Sequence, residues 1–174
     1  VQACCDHLSK YDILARLADR LVGDLHLDRE ELREKGFVAS SRSKEYAALV
    51  EVLVSELYAT LDSVRRVIFS VYRSVSGVQN RSTSLLFKRA DPNTYGPSFP
   101  PEIANGLRCA QQQWFPVLHE LRTELTHGQT GTCHLDEKTG LIRYIHGGLG
   151  SERKAHGVDD IVSQVAQWRS AVDD

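Results

Sequence analysis

Tyr46, Val50, Leu53, Leu57, Leu61, Val64, Ile68, Val71 and Val75 recur at steps of three and four residues, a spacing that puts them on one face of a single helix. Ser76 and Gly77 then stop the pattern. A helix of about 30 residues extends roughly 45 Å, long enough to be the spine of a bundle. The chain of 174 residues, 41% of them hydrophobic, can bury one continuous core without disulfides or metal, so a single domain over residues 1–174 is expected.

Shorter stripes surround the spine. Ser9 with Asp12 reads as a helix start, and Tyr11, Leu14, Ala18, Leu21 and Leu25 share a face behind it. Asp28 with Glu31 makes a capping-box pattern, Gly36 is placed to end the short helix that follows, and Ser40, Ser41 and Ser43 read as a connection. Residues 91–101 hold four of the five prolines together with Asn93 and Gly96, which predicts a loop. Beyond it Ile103, Leu107, Ala110, Trp114, Leu118, Leu121 and Leu125 keep helical spacing, with Pro101 suited to a first turn and Pro116 expected to kink or divide the helix.

Near the end, Leu135 and Leu141 to Ile145 flank Asp136 to Gly140 and read as a short hairpin. Gly147, Gly148 and Gly150 read as a link, since they lack the spacing and lysine of a phosphate loop. Val158, Ile161, Val165, Trp168 and Val172 predict a last helix. The fold expected is mainly α: an antiparallel bundle of four to five helices with a small C-terminal β-hairpin. Trp114, Phe115 and Trp168 are expected in its core.

Net charge of −2 and a pI near 6.4 give no global pull toward nucleic acid or anionic lipid. The distribution is uneven. Residues 63–90 carry Arg65, Arg66, Arg73, Arg81, Lys88 and Arg89 with no acid, a local +6 that leaves the remainder at −8. Such a block is either a basic surface or an ordinary solvated helix face. The four cysteines, Cys4, Cys5, Cys109 and Cys133, lack zinc-knuckle or redox spacing and read as reduced thiols. His127, Cys133, His134 and His146 have no recognised zinc-ligand spacing either, so no metal and no cofactor is expected. No run of about 18 apolar residues and no secretory signal is present, which predicts a cytoplasmic protein without membrane partners. The sequence has no methionine, even at position 1, so it is expected to omit an initiator residue.

The one concentrated chemical signal is Leu121-Arg122-Thr123-Glu124-Leu125-Thr126-His127-Gly128. Five steps along a continuous helix leave two side chains roughly 140° apart around the axis. For Arg122 and His127 to share a site, the helix must end between them, and Gly128 is placed to end it. An Arg at the edge of an apolar stripe and a His in a last turn are also ordinary surface features. His119, three positions before Arg122, is expected to face solvent while remaining within reach of that arginine.

An Arg, a polar residue and a His followed by Gly, late in a helical bundle, resembles the R-x(4–6)-H motif of the HEPN superfamily. The likeness in helix layout covers residues 9–130, with 131–174 a hairpin-plus-helix elaboration. The family usually has Asn, Asp or His directly after the Arg; here that position is Thr123. The resemblance implies a metal-independent endoribonuclease of toxin or defence type, acting in the cleft of a homodimer, with an antitoxin or nucleotidyltransferase as partner. In that reading His127 takes the ribose 2′-hydroxyl proton, Arg122 holds the scissile phosphate, Thr123 and His119 support them, and the product is a 2′,3′-cyclic phosphate. The alternative within the same resemblance is a non-catalytic module that binds a nucleotide or a partner protein.

Overall fold

The computed structural model describes residues 1–36, 41–90, 92–127, 131–136, 138–147 and 155–173. The fold is mainly α, of helical-bundle class, with a small C-terminal antiparallel sheet. In chain order the elements are α1 (Gln2–Val22), α2 (Leu25–Lys35), α3 (Ser41–Tyr72), α4 (Thr83–Lys88), α5 (Pro92–Tyr95), α6 (Pro101–Gln113), α7 (Phe115–His127), β1 (Thr132–Leu135), β2 (Ile142–Gly147), β3 (Ala155–Val158) and α8 (Ile161–Asp173). They divide into two compact units, Val1–Ser9 with Glu56–Glu120 and Lys10–Ser55 with Leu121–Asp174.

The first unit is built on aromatic rings. Phe87 and Phe115 stack nearly parallel with centroids 4.0 Å apart, and Trp114 meets Phe87 edge-on at 6.4 Å. These three rings come from α4 and from the Pro116 neighbourhood, and α4 packs on α6. Pro116 has the expected effect: α6 stops at Gln113 and α7 begins at Phe115, while Pro101 occupies the first turn of α6. Helix α4 was not legible as a stripe, yet Ser82 caps it by accepting a hydrogen bond from the Leu85 N–H. The proline-rich segment is less irregular than expected, since Pro92–Tyr95 forms one helical turn. The spine ends at Tyr72, before Val75, and Val71, on the predicted apolar stripe, is 62% exposed. Gly77 follows at φ +89°, where a Cβ would stand 2.9 Å from the Thr94 carbonyl oxygen, so this turn requires glycine.

In the second unit, Tyr11, Ala15 and Ala18 of α1, Tyr46, Val50 and Leu53 of α3, and Ile161, Val165 and Trp168 of α8 are buried. The Tyr11 hydroxyl donates to the Val165 carbonyl at 3.1 Å. Helix α1 begins at Gln2, ahead of the Ser9 start read from sequence. Asp28 is not the cap of its own helix, because α2 starts at Leu25 and Asp28 lies within it. Gly36 ends α2 in the left-handed region, φ 74°, its N–H donating to the Leu32 carbonyl. Ser40, in the predicted connection, lies outside the described residues.

The hairpin is present, with Thr132 paired to Ile145 and Leu135 to Ile142. Asp136 closes its turn by accepting hydrogen bonds from the Lys138 and Thr139 N–H groups at 2.9 and 3.2 Å. A third strand adds to it: β3 pairs antiparallel with β2, Tyr144 opposite Val158, so Val158 belongs to the sheet and not to the last helix. Gly147 is the last residue of β2, whereas Gly148 and Gly150 of the predicted link lie outside the described residues. Ile142 and Tyr144 alternate with exposed Leu141 and Arg143, and α8 packs against β2.

Candidate functional site

Helix α7 runs unbroken from Phe115 to His127. The expected end between Arg122 and His127 is absent, and the Thr126 hydroxyl donates back to the Arg122 carbonyl at 2.8 Å inside the last turn. A regular helix separates these two positions by roughly 140° around its axis. Arg122 and Thr123 are half-buried, as is Leu125, which sequence periodicity placed in the core; Leu121 is buried as expected. The side chain of His127, and Gly128 altogether, lie outside the described residues.

His119 belongs to the first unit, where it is a packing residue and not a solvent-facing one. Its ring stacks on Phe115 at 5.7 Å with 6° between planes and on Tyr58 at 6.0 Å. The Tyr58 hydroxyl and His119 Nδ1 share a hydrogen bond of 3.2 Å. These contacts engage both a face and a nitrogen of the imidazole.

Cys133 is buried, and burial together with the nearby Glu51 carboxylate pushes its thiol up to about 12, so it is protonated and a poor metal ligand at neutral pH. Glu51 is occupied in turn: it accepts hydrogen bonds from the Gly131 N–H at 2.9 Å and the Tyr144 hydroxyl at 3.1 Å. His134 is exposed, its Nε2 3.1 Å from the Thr132 hydroxyl, and the His146 side chain lies outside the described residues. No group of three or more His, Cys, Asp or Glu is arranged to hold a metal ion among the described residues.

The acid-free block 63–90 separates into two kinds of cation. Arg65 is buried and structural: its Nε donates to the Thr83 hydroxyl at 3.1 Å, Nη1 donates to the carbonyl and side-chain oxygens of Asn80, and Nη2 lies 3.6 Å from Asp62. The Thr83 hydroxyl donates to the same Asp62 carboxylate. Arg66, Arg73, Arg81, Lys88 and Arg89 are exposed instead. Sequence charge counting could not make this division, because adjacent Arg65 and Arg66 differ only in which side of α3 they occupy.

Comparison with known protein families, with curated proteins and with solved structures finds no match. No described helix is long and apolar enough to cross a membrane.

Proposed function

We propose that this chain is a non-catalytic, HEPN-like interaction module that works by binding and not by cleaving RNA. The observation that carries this reading is the continuity of α7 through His127. General acid–base cleavage needs the imidazole and the phosphate-holding guanidinium within hydrogen-bond reach of one substrate, and positions roughly 140° apart on one helix do not supply that in a single chain. Thr123 in place of the family's usual second polar residue points the same way. So does the stacking of His119 on Phe115 and Tyr58, which withdraws a supporting imidazole from the chemistry.

The test is incubation of purified protein with a broad RNA panel in EDTA, beside the His127→Ala form, at concentrations that would populate a dimer. Intact RNA in both is expected. Cleavage by the wild type that disappears in His127→Ala would overturn the reading and establish a site completed by a second protomer, as the ribonuclease alternative requires.

A further inference from the structure

The pairing of β2 with β3 brings together two residues that no local motif links. His146 and His156 stand directly opposite each other in that antiparallel ladder, between the pairs Ile145–Gly157 and Gly147–Ala155. Directly opposed positions of an antiparallel pair have Cβ atoms about 4.5–5.5 Å apart. Imidazoles carried at that separation can share one ion, and neutral imidazole is the commonest protein ligand of metals such as zinc and copper. The β1–β2 ladder offers no such juxtaposition, because His134 is paired there with Arg143, a cation where a second ligand would be needed.

Strand β3 itself gives a reason for an ion. It is an edge strand of Ala155, His156, Gly157 and Val158, and alanine and glycine are poor strand formers. So short a strand gains little from its own propensity, and an ion held across the ladder would fasten it to β2. Gly147 and Ala155, the next pair along, carry almost no side-chain bulk to exclude the waters that complete a zinc coordination shell. Sequence spacing conceals a site of this kind, since its two ligands meet through strand pairing.

We propose that His146 and His156 form a two-histidine site for a divalent transition ion of the zinc class, which clasps β3 to β2. The test is calorimetric titration of the whole, untagged, metal-free chain with zinc chloride in a non-chelating buffer, followed by hydrogen exchange with and without zinc. One equivalent of zinc should bind, copper(II) should bind more tightly, and magnesium should not compete. Zinc should slow exchange over Ile142–Gly147 and Ala155–Val158, because an ion that binds only the paired form stabilises that form. His146→Gln and His156→Gln should each weaken zinc binding at least about tenfold and abolish the slowing. His156→Cys, which returns a zinc ligand to the same register position, should recover both. His26→Gln/His134→Gln removes two exposed imidazoles outside the pair and should bind as the wild type does. Circular dichroism of each variant confirms that it is folded. Wild-type NMR reads the same point without a variant: zinc should move the imidazole resonances of His146 and His156 and leave those of His26 and His134 in place.

Absence of saturable zinc binding overturns the proposal. It is overturned equally by binding that survives undiminished in both single glutamine variants, by binding that His26→Gln/His134→Gln abolishes, or by magnesium binding as tightly as zinc. Zinc that binds through the pair yet leaves exchange over Ala155–Val158 unchanged overturns the clasp.

Discussion

A buried arginine organises one unit of this protein and a buried aspartate organises the other. Arg65, 8% exposed, gathers Asp62, Asn80 and Thr83 around a cation. Asp28, 6% exposed, gathers Ser43 and Arg42 around an anion: its carboxylate accepts from the Ser43 N–H and hydroxyl, both at 2.8 Å, and from the Arg42 N–H and guanidinium at 3.4 and 3.3 Å. Both devices pin a helix terminus to a neighbouring element, α4 in the first case and α3 in the second. They differ in that a guanidinium stays charged at any working pH, whereas a carboxylate does not. The guanidinium bonds to Asn80 and Thr83 in the first unit therefore persist at any working pH, whereas the second unit is held by a carboxylate that acid can neutralise.

Substituting the locks should give the largest effects. Arg65→Met removes the guanidinium bonds to Asn80 and Thr83, leaves Thr83 its bond to Asp62 and takes the cation from the Asp62 carboxylate, a loss of about 3 kcal/mol measured by urea unfolding. Hydrogen exchange should quicken most over residues 76–88. A change below about 1 kcal/mol would show that the lock is decorative and that aromatic stacking alone holds this unit.

Asp28→Ala should cost about 2 kcal/mol, because it strips an N-terminal cap from α3 and leaves the Ser43 N–H unpaired. Its pH dependence is the sharper test. Burial works to raise the Asp28 pKa, but hydrogen bonds from Ser43 and Arg42 outweigh it and set the carboxyl below the ordinary aspartate value. A depressed folded pKa gives stability that is fully present above the unfolded value and lost as pH falls through the folded one. Wild type and Asp28→Ala should thus differ by a constant amount above about pH 5 and converge below about pH 4.

These locks also mark how far sequence reading reaches. Tyr46, Val50, Leu53, Leu57 and Leu61 were legible as core because a helix of period 3.6 carries its burial in its spacing, and all five are buried. Pro116 and Gly36 were legible because their effect is local to the backbone. Asp28 was misread for the opposite reason: its partners lie 14 and 15 residues away, and a carboxylate near a helix start looks the same whether it caps its own helix or the next. The third strand escaped notice because Ala155–Val158 offers no alternation to detect until β2 is there to pair with it. The site was least legible. Arg122 and His127 sit at a spacing that means one thing if the helix stops and another if it continues, and the Thr126-to-Arg122 hydrogen bond lies inside a turn that continues.

The smallest effects compare a paired cation of the second unit with an exposed one of the first. Arg169 lies 2.7 Å from Asp12 and 3.8 Å from Asp19, linking α8 to α1, with side chains 39% and 37% exposed for the closer pair. Partial exposure screens such a pair, so Arg169→Gln should cost only about 0.5 kcal/mol, less in high salt. Arg66 makes no ion pair among the described residues and follows another cation, Arg65, so Arg66→Gln should leave stability unchanged or raise it by a few tenths, about 0.3 kcal/mol, at low salt. Chemical denaturation of the two variants at 20 and 300 mM salt reads both signs. Opposite signs that shrink together as salt rises mean that Arg66 is carried at a small cost in folding and that Arg169 is neutralised by its two aspartates. If Arg66→Gln destabilises as much as Arg169→Gln, Arg66 is holding the fold, and the contrast between these two arginines disappears.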